Sequence, residues 1–226
     1  MIVHDCLQGS DLWHWHRLGL PTASNFGRII QPVKGELSKG IDDYIAELIA
    51  ETVTGPTEGG YMSRPMWEGT NIEADARGWY QYDRGVTIKQ VGFVTDDLRR
   101  WGCSPDGLSD DDKGPGLELK GPTAKVHVGY MLDPESLDAA YKCQVHGGMV
   151  VCERTHWDLV SYCHGFEPVV RRVVWDGFTD KLAAALLAFT DRYAAAVDRV
   201  AELNGRPLVK PPPPRTKQVD DPIFMA

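Results

Sequence analysis

Asp106, in Ser104-Pro105-Asp106-Gly107, is followed after a turn-rich loop by Leu117-Glu118-Leu119-Lys120. Side chains alternate across a strand, so Leu117 and Leu119 are expected on one face and Glu118 and Lys120 together on the other. The alternation demands a sheet buried on one side with a charged cluster on the other, two carboxylates and an ammonium converging on one point.

Those residue types suit phosphodiester cleavage. The reaction needs a water made nucleophilic near neutral pH and a counter-charge for the phosphate and the leaving alkoxide, and a divalent cation supplies both. Magnesium takes oxygen ligands and keeps several waters, so one or two carboxylates are enough. Asp106 and Glu118 fit the ligand role, and Lys120 fits a group that orients water and offsets charge in the transition state. The competing reading is a surface turn followed by a strand whose wet face carries an unremarkable Glu and Lys.

Further blocks narrow the choice. Gln8-Gly9-Ser10, Trp13, Arg17-Leu18-Gly19 and Thr22-Ala23-Ser24 come first, Gly69-Thr70-Asn71-Ile72-Glu73 second and Tyr141 to Val145, with Gln144, last. In this order, and with Asp106, Glu118 and Lys120 between them, they resemble the phage lambda exonuclease family, the YqaJ-type viral recombinases of the restriction-endonuclease-like superfamily.

The resemblance implies an α/β fold with a restriction-endonuclease-like core, a mixed sheet flanked by helices. It implies a Mg2+-dependent exonuclease, with Mn2+ as a substitute, that degrades one strand of linear duplex DNA 5′ to 3′ to mononucleotides and leaves a 3′ single-stranded tail. Asp106, Glu118 and the Leu119 carbonyl would hold the metal, with Lys120, Glu73 and Gln144 completing the catalytic set. Arg17, Thr22 and Ser24 would receive the 5′ phosphate, with Trp13, Lys34 and Met66 as further DNA contacts. The implied partners are duplex ends, a single-strand annealing protein and two more copies in a trimeric ring; the setting is a bacterial cytoplasm, with the gene carried by a phage or prophage. An endonuclease on the same scaffold and a catalytically silent end-binding subunit are the alternatives. Two departures stand out: a loop carrying Asp110–Gly116 that is slightly longer than the family's, and His146 where a second glutamine is expected.

Several local readings stay open. Thr22 or Ser24 is expected to cap a short helix, as a simple cap or as part of an anion pocket with Arg17. Glu73, beside a stripe of Ile72, Ala76, Trp79 and Tyr80, either supports a metal or pairs with Arg77 one turn on. Met66 and Trp67 either wedge between bases or pack on the core. Cys143, His146, Cys152 and His156 have spacings reminiscent of zinc, but a helix-embedded cysteine is usually a small buried apolar group.

The 226 residues, 42% hydrophobic and 25% charged, suffice for one large core. A single nuclease domain over 1–205 and a Pro-rich tail over 206–226 are expected. No apolar run spans a bilayer, and the first eleven residues lack a signal pattern, so a cytoplasmic, membrane-free protein is expected. Five cysteines without a Cys-x-x-Cys pair argue for reduced thiols. A net charge of −8 opposes nonspecific DNA affinity, so basic groups such as Arg17, Arg28, Lys34 and Lys39 must be gathered locally. Helices are expected over 41–53, 136–149 and 179–203, and strands over 86–95, 98–103 and 156–163.

Overall fold

A computed structural model describes residues 1–55 and 72–214 in full, and the backbone of 64–71. In chain order the elements are β1 (Ile2–His4), α1 (Asp11–Arg17), a 3-10 helix (Ala23–Arg28), α2 (Ile41–Thr54) and α3 (Arg64–Arg84). There follow β2 (Ile88–Lys89), β3 (Phe93–Thr95), β4 (Gly102–Cys103), β5 (Gly107–Ser109) and β6 (Gly116–Lys120). The chain continues through α4 (Ala124–Leu132), α5 (Pro134–Cys152), β7 (His156–Ser161), β8 (Val169–Val174) and α6 (Gly177–Asn204).

Five strands form a mixed sheet in the order β2-β5-β6-β7-β8. Only β6 and β7 run parallel, because α4 and α5 between them supply the long crossover that parallel neighbours require. The α/β architecture expected from the sequence is what the chain adopts. Leu117 and Leu119 pack on Ala76 and Tyr80 of α3, while Glu118 and Lys120 meet α5 through Gln144. The sheet is therefore sandwiched between those helices, and period-two alternation decides which side carries charge.

The larger core gathers the 3-10 helix, α2, α5 and α6 around Phe26, Tyr44, Met149, Leu186 and Phe189. Trp157 on β7 fits against α5 only because position 148 is glycine; a Cβ there would approach the indole to 2.8 Å.

Four expectations are corrected. Of 98–103 only Gly102–Cys103 is strand, because the chain turns at 97–98 to bring β4 back against β3. The stretch 86–95 is two strands, not one: β2 joins the large sheet, whereas β3 pairs with β1 and β4 in a separate three-stranded sheet. Gly92 sits at the break, where a Cβ would collide with the backbone of Cys6. Thr22 stands at the N-cap position but makes no side-chain bond to the helix; its hydroxyl turns to Arg17 and Ser24 instead. Val53, in the expected apolar stripe of α2, is 47% exposed at the helix end.

Helix α6 is opened by a capping box between Asp176 and Thr179 and closed by left-handed Gly205. Beyond it the chain returns to α1, where the Trp15 indole donates to the Pro211 carbonyl at 2.7 Å and Lys210 lies over the same ring. Among the described residues no helix is long and apolar enough to cross a membrane.

Candidate active site

Asp106 occupies the bend before β5 and is fixed by its backbone before its side chain acts. Its amide donates to the Leu117 carbonyl at 3.1 Å, and its carbonyl accepts from Arg77 Nε at 3.1 Å. Its Oδ2 accepts from the Leu119 amide at 2.6 Å. Glu118 Oε1 accepts from Lys120 Nζ and from Gln144 Nε2, each at 2.6 Å. Lys120 Nζ also donates to Gln144 Oε1 at 3.2 Å and sits 4.5 Å from the Tyr141 ring centre. Each carboxylate thus has one oxygen engaged, while Asp106 Oδ1 and Glu118 Oε2 have no hydrogen-bond partner among the described residues.

The electrostatics match that geometry. Burial, then the charges of Glu118 and Glu73, push the Asp106 carboxyl well above the usual carboxylate range, against the pull of the Leu119 amide and Lys120. Burial likewise raises Glu118, with Lys120 opposing. Burial acts to lower Lys120, but Glu118 and Asp106 outweigh it and its pKa rises. A buried Glu118 and a half-buried Asp106 against one ammonium leave excess negative charge, which a hard cation would relieve. Among the described residues no group of three His, Cys, Asp or Glu side chains forms a metal cage. A dication here would rely on two carboxylates, a backbone carbonyl and non-protein oxygens, which suits magnesium. The Leu119 amide faces Asp106, and along a strand the carbonyl of the same residue lies on that same side.

Glu73 accepts from Arg77 Nη2, one helical turn on. The ion pair foreseen as one of two readings is therefore present, and Glu73 still lies close enough to influence Asp106 and Glu118.

The opposite wall comes from the N-terminal blocks. Arg17 Nη1 donates to Ser104 Oγ at 3.3 Å and Nη2 to Thr22 Oγ1 at 3.5 Å. Thr22 and Ser24 hydroxyls are 3.3 Å apart. Trp13 Nε1 donates to the same Ser104 Oγ at 2.8 Å, and the guanidinium stacks 4.2 Å over the Trp13 ring. Burial lowers the Arg17 pKa, yet its hydrogen-bond partners among the described residues are neutral hydroxyls. Arg17, Thr22, Ser24, Trp13, Asp106 and Glu118 all border one cleft of about 200 Å³.

Other expected contacts fall elsewhere. Lys34 is exposed in a turn and is not among the residues bordering the cleft. Met66 and Trp67 belong to α3 by backbone, but their side chains lie outside the described residues. Arg28 is taken up by a bidentate pair with Glu47. The zinc-like spacing dissolves: His146 bonds Thr179 at 2.7 Å and steadies the start of α6, while Cys152 faces Cys103. Sequence reasoning had no part for the Ser104 hydroxyl shared by Trp13 and Arg17, nor for the Arg77 bond to Asp106. Their partners are distant in the chain, and only the Ser104-Pro105-Asp106 adjacency hinted at the first.

A YqaJ-like viral recombinase domain model matches residues 12–155. The chain belongs to that family. Among solved structures it is similar to LHK-Exo, an alkaline exonuclease from Laribacter hongkongensis, at 24% identity and a TM-score of 0.71, covering 87% of this chain and 98% of that one. The same exonuclease in complex with dAMP gives 25% identity and 0.72, with equal coverage. A phage-related exonuclease from Haemophilus somnus gives 13% and 0.63, covering 80% and 96%. No curated protein matches the chain. The matched segment of the YqaJ-like family contains Trp13, Arg17, Thr22, Ser24, Asp106, Glu118 and Gln144 of the cleft, but not Gln8 or Trp157, which also border it, and it stops short of β7, β8 and α6.

Proposed function

We propose that this chain is a magnesium-dependent exonuclease that digests one strand of linear duplex DNA from its 5′ end to mononucleotides and leaves a 3′ single-stranded tail for strand annealing. The observation that carries the reading is the pairing of opposites in one cleft. A buried and a half-buried carboxylate, each with one unengaged oxygen, share the cleft with a guanidinium whose described hydrogen-bond partners are hydroxyls. The first arrangement asks for a cation and the second for an anion, as a phosphodiester bound with a metal supplies. Family membership and the dAMP complex of the LHK-Exo relative support a DNA substrate.

Asp106, Glu118 and the Leu119 carbonyl hold the ion, Mg2+ or Mn2+. When bound, it lowers the pKa of a coordinated water and offsets charge on the phosphate oxygens. Lys120, held by Glu118 and Gln144, orients the attacking water and offsets charge developing on the phosphate. Glu73 supports the site from α3. Arg17, Thr22 and Ser24 grip the terminal 5′ phosphate, a bidentate task for which a guanidinium is shaped, and Trp13 forms the floor under Arg17. Lys34, outside the cleft, and Met66 are assigned further DNA contacts. The nuclease domain runs through residue 205, with 206–226 as its tail. A trimeric ring acting with a single-strand annealing protein in a bacterial cytoplasm, from a phage or prophage gene, completes the reading; light scattering that returns a monomer at micromolar concentration counts against the ring.

The test is digestion of linear duplex labelled at either the 5′ or the 3′ terminus, with Mg2+ or with chelator. Early release of the 5′ label as mononucleotide, only with the ion, is expected. Rapid nicking of covalently closed circles would instead favour an endonuclease, and end binding without nucleotide release under any divalent ion would mark a silent subunit.

A further inference from the structure

We propose that Arg77 is a positioning residue of the metal site, joining Glu73 and the main chain of Asp106 into one unit; the assignment rests on the nuclease reading above. An exposed Glu–Arg pair one helical turn apart contributes little, but Arg77 as a residue is only 8% exposed and its donors diverge. Nη2 serves Glu73 on α3, and Nε serves the Asp106 carbonyl, 29 residues on. The Gln90 amide oxygen, in the orientation that satisfies both groups, accepts from Nη1 at 2.8 Å and Nη2 at 3.1 Å.

Asp106 is consequently held at its amide, its carbonyl and Oδ2, which leaves Oδ1 aimed by the backbone rather than by a free rotor. Without Arg77 the Asp106 peptide loses the anchor on its carbonyl, and Glu73 loses the cation that keeps it beside the site. A planar, rigid fork meets a carboxylate, a main-chain carbonyl and an amide at once; an ammonium on a flexible stem does not. Groups that orient metal ligands in this way typically change metal affinity or activity by about 10- to 100-fold when removed.

Arg77→Lys keeps the charge and breaks the fork. Calorimetric titration of the metal-free protein with Mn2+ is expected to show affinity weakened by about 10- to 100-fold. On linear duplex kcat should fall with KM for DNA ends unchanged, the melting temperature should stay near wild type, and added Mn2+ should restore most of the rate. Wild-type Mn2+ affinity and kcat in the folded variant would overturn the proposal, as would retained Mn2+ affinity with a lowered melting temperature, the signature of an ordinary packing ion pair. Should Arg77→Lys not fold, Gln90→Leu removes only the exposed anchor, and a Mn2+ affinity weakened a few-fold at constant KM is expected. Unchanged affinity there overturns the assignment. Wild-type protein that takes up no Mn2+ overturns the nuclease reading itself, an outcome separable from one in which wild type and variant bind alike.

Discussion

On the strand wall of the cleft, Glu118, Lys120 and Gln144 bond to one another, and Asp106 is locked to the neighbouring strand through main-chain groups. Across from it, Arg17 stands on a helix of seven residues with no fully buried member, stacks on Trp13, and has only hydroxyls as hydrogen-bond partners among the described residues. The first wall is rigid, crowded and overall negative, while the second is lightly mounted and positive. Rigidity belongs where reacting atoms must be placed within a fraction of an ångström, and an unpaired cation belongs where a ligand brings the counter-charge. Under the proposed function, the contrast places rate with the strands and choice of DNA end with the helix.

The contrast is broken most severely by Glu118→Gln, which keeps shape and removes a charge of the proposed metal site. Losing several kcal/mol of charge stabilisation corresponds to a rate loss of roughly three orders of magnitude, measured as mononucleotide release from linear duplex. End binding should persist, because Arg17 is untouched. A variant that still cleaves within about tenfold of wild type would detach Glu118 from the chemistry.

Arg17→Ala is expected to do the reverse. A charge-assisted hydrogen bond contributes about 1.5–3 kcal/mol, so kcat/KM on 5′-phosphorylated ends should drop by about 10- to 100-fold. Ends carrying a 5′ hydroxyl should be affected far less. Equal losses on both substrates would remove Arg17 from the phosphate pocket and leave the positive wall without its assigned ligand.

How much of this was legible in the sequence differs along the same divide. The strand wall could be read because alternation is local: Leu117 and Leu119 declare the buried side, and Glu118 and Lys120 must then share the other. Gln144 came from the motif around it, and the mixed sheet followed from a strand, a crossover and a strand. The helix wall was read only in outline. Thr22 stands where a cap is expected, yet its hydroxyl meets Arg17 and Ser24, which only the folded chain brings to it. Arg77 looked like half of a helical ion pair, since nothing local reveals that Asp106 arrives at its Nε. Helix α4 and β8 were missed: Val169–Val174 is half-exposed and carries no clear alternation, which periodicity arguments need. His146, conspicuous as a departure from the family pattern, proved to be a buried anchor for α6 rather than a member of the cleft.

The smallest expected effect probes what holds the lightly mounted wall. Trp13 and Arg17 face the cleft, whereas Trp15, between them in sequence, is engaged by the returning chain through Pro211 and Lys210. Trp15→Phe keeps an aromatic ring, deletes one hydrogen bond of about 1 kcal/mol and weakens a cation–π contact of about 0.5 kcal/mol. If the strap steadies α1, unfolding free energy should fall by about 1 kcal/mol. Efficiency on 5′-phosphorylated ends should fall by about two- to fivefold, with the rate at saturating DNA nearly constant because the strand wall is unchanged. A loss of stability with no change in end preference would mean that Arg17 is held by Ser104 and Thr22 alone. The helix wall would then owe its geometry to β4 and the segment before the 3-10 helix, and the division between a placed and a lightly mounted wall would be shallower than the hydrogen bonds imply.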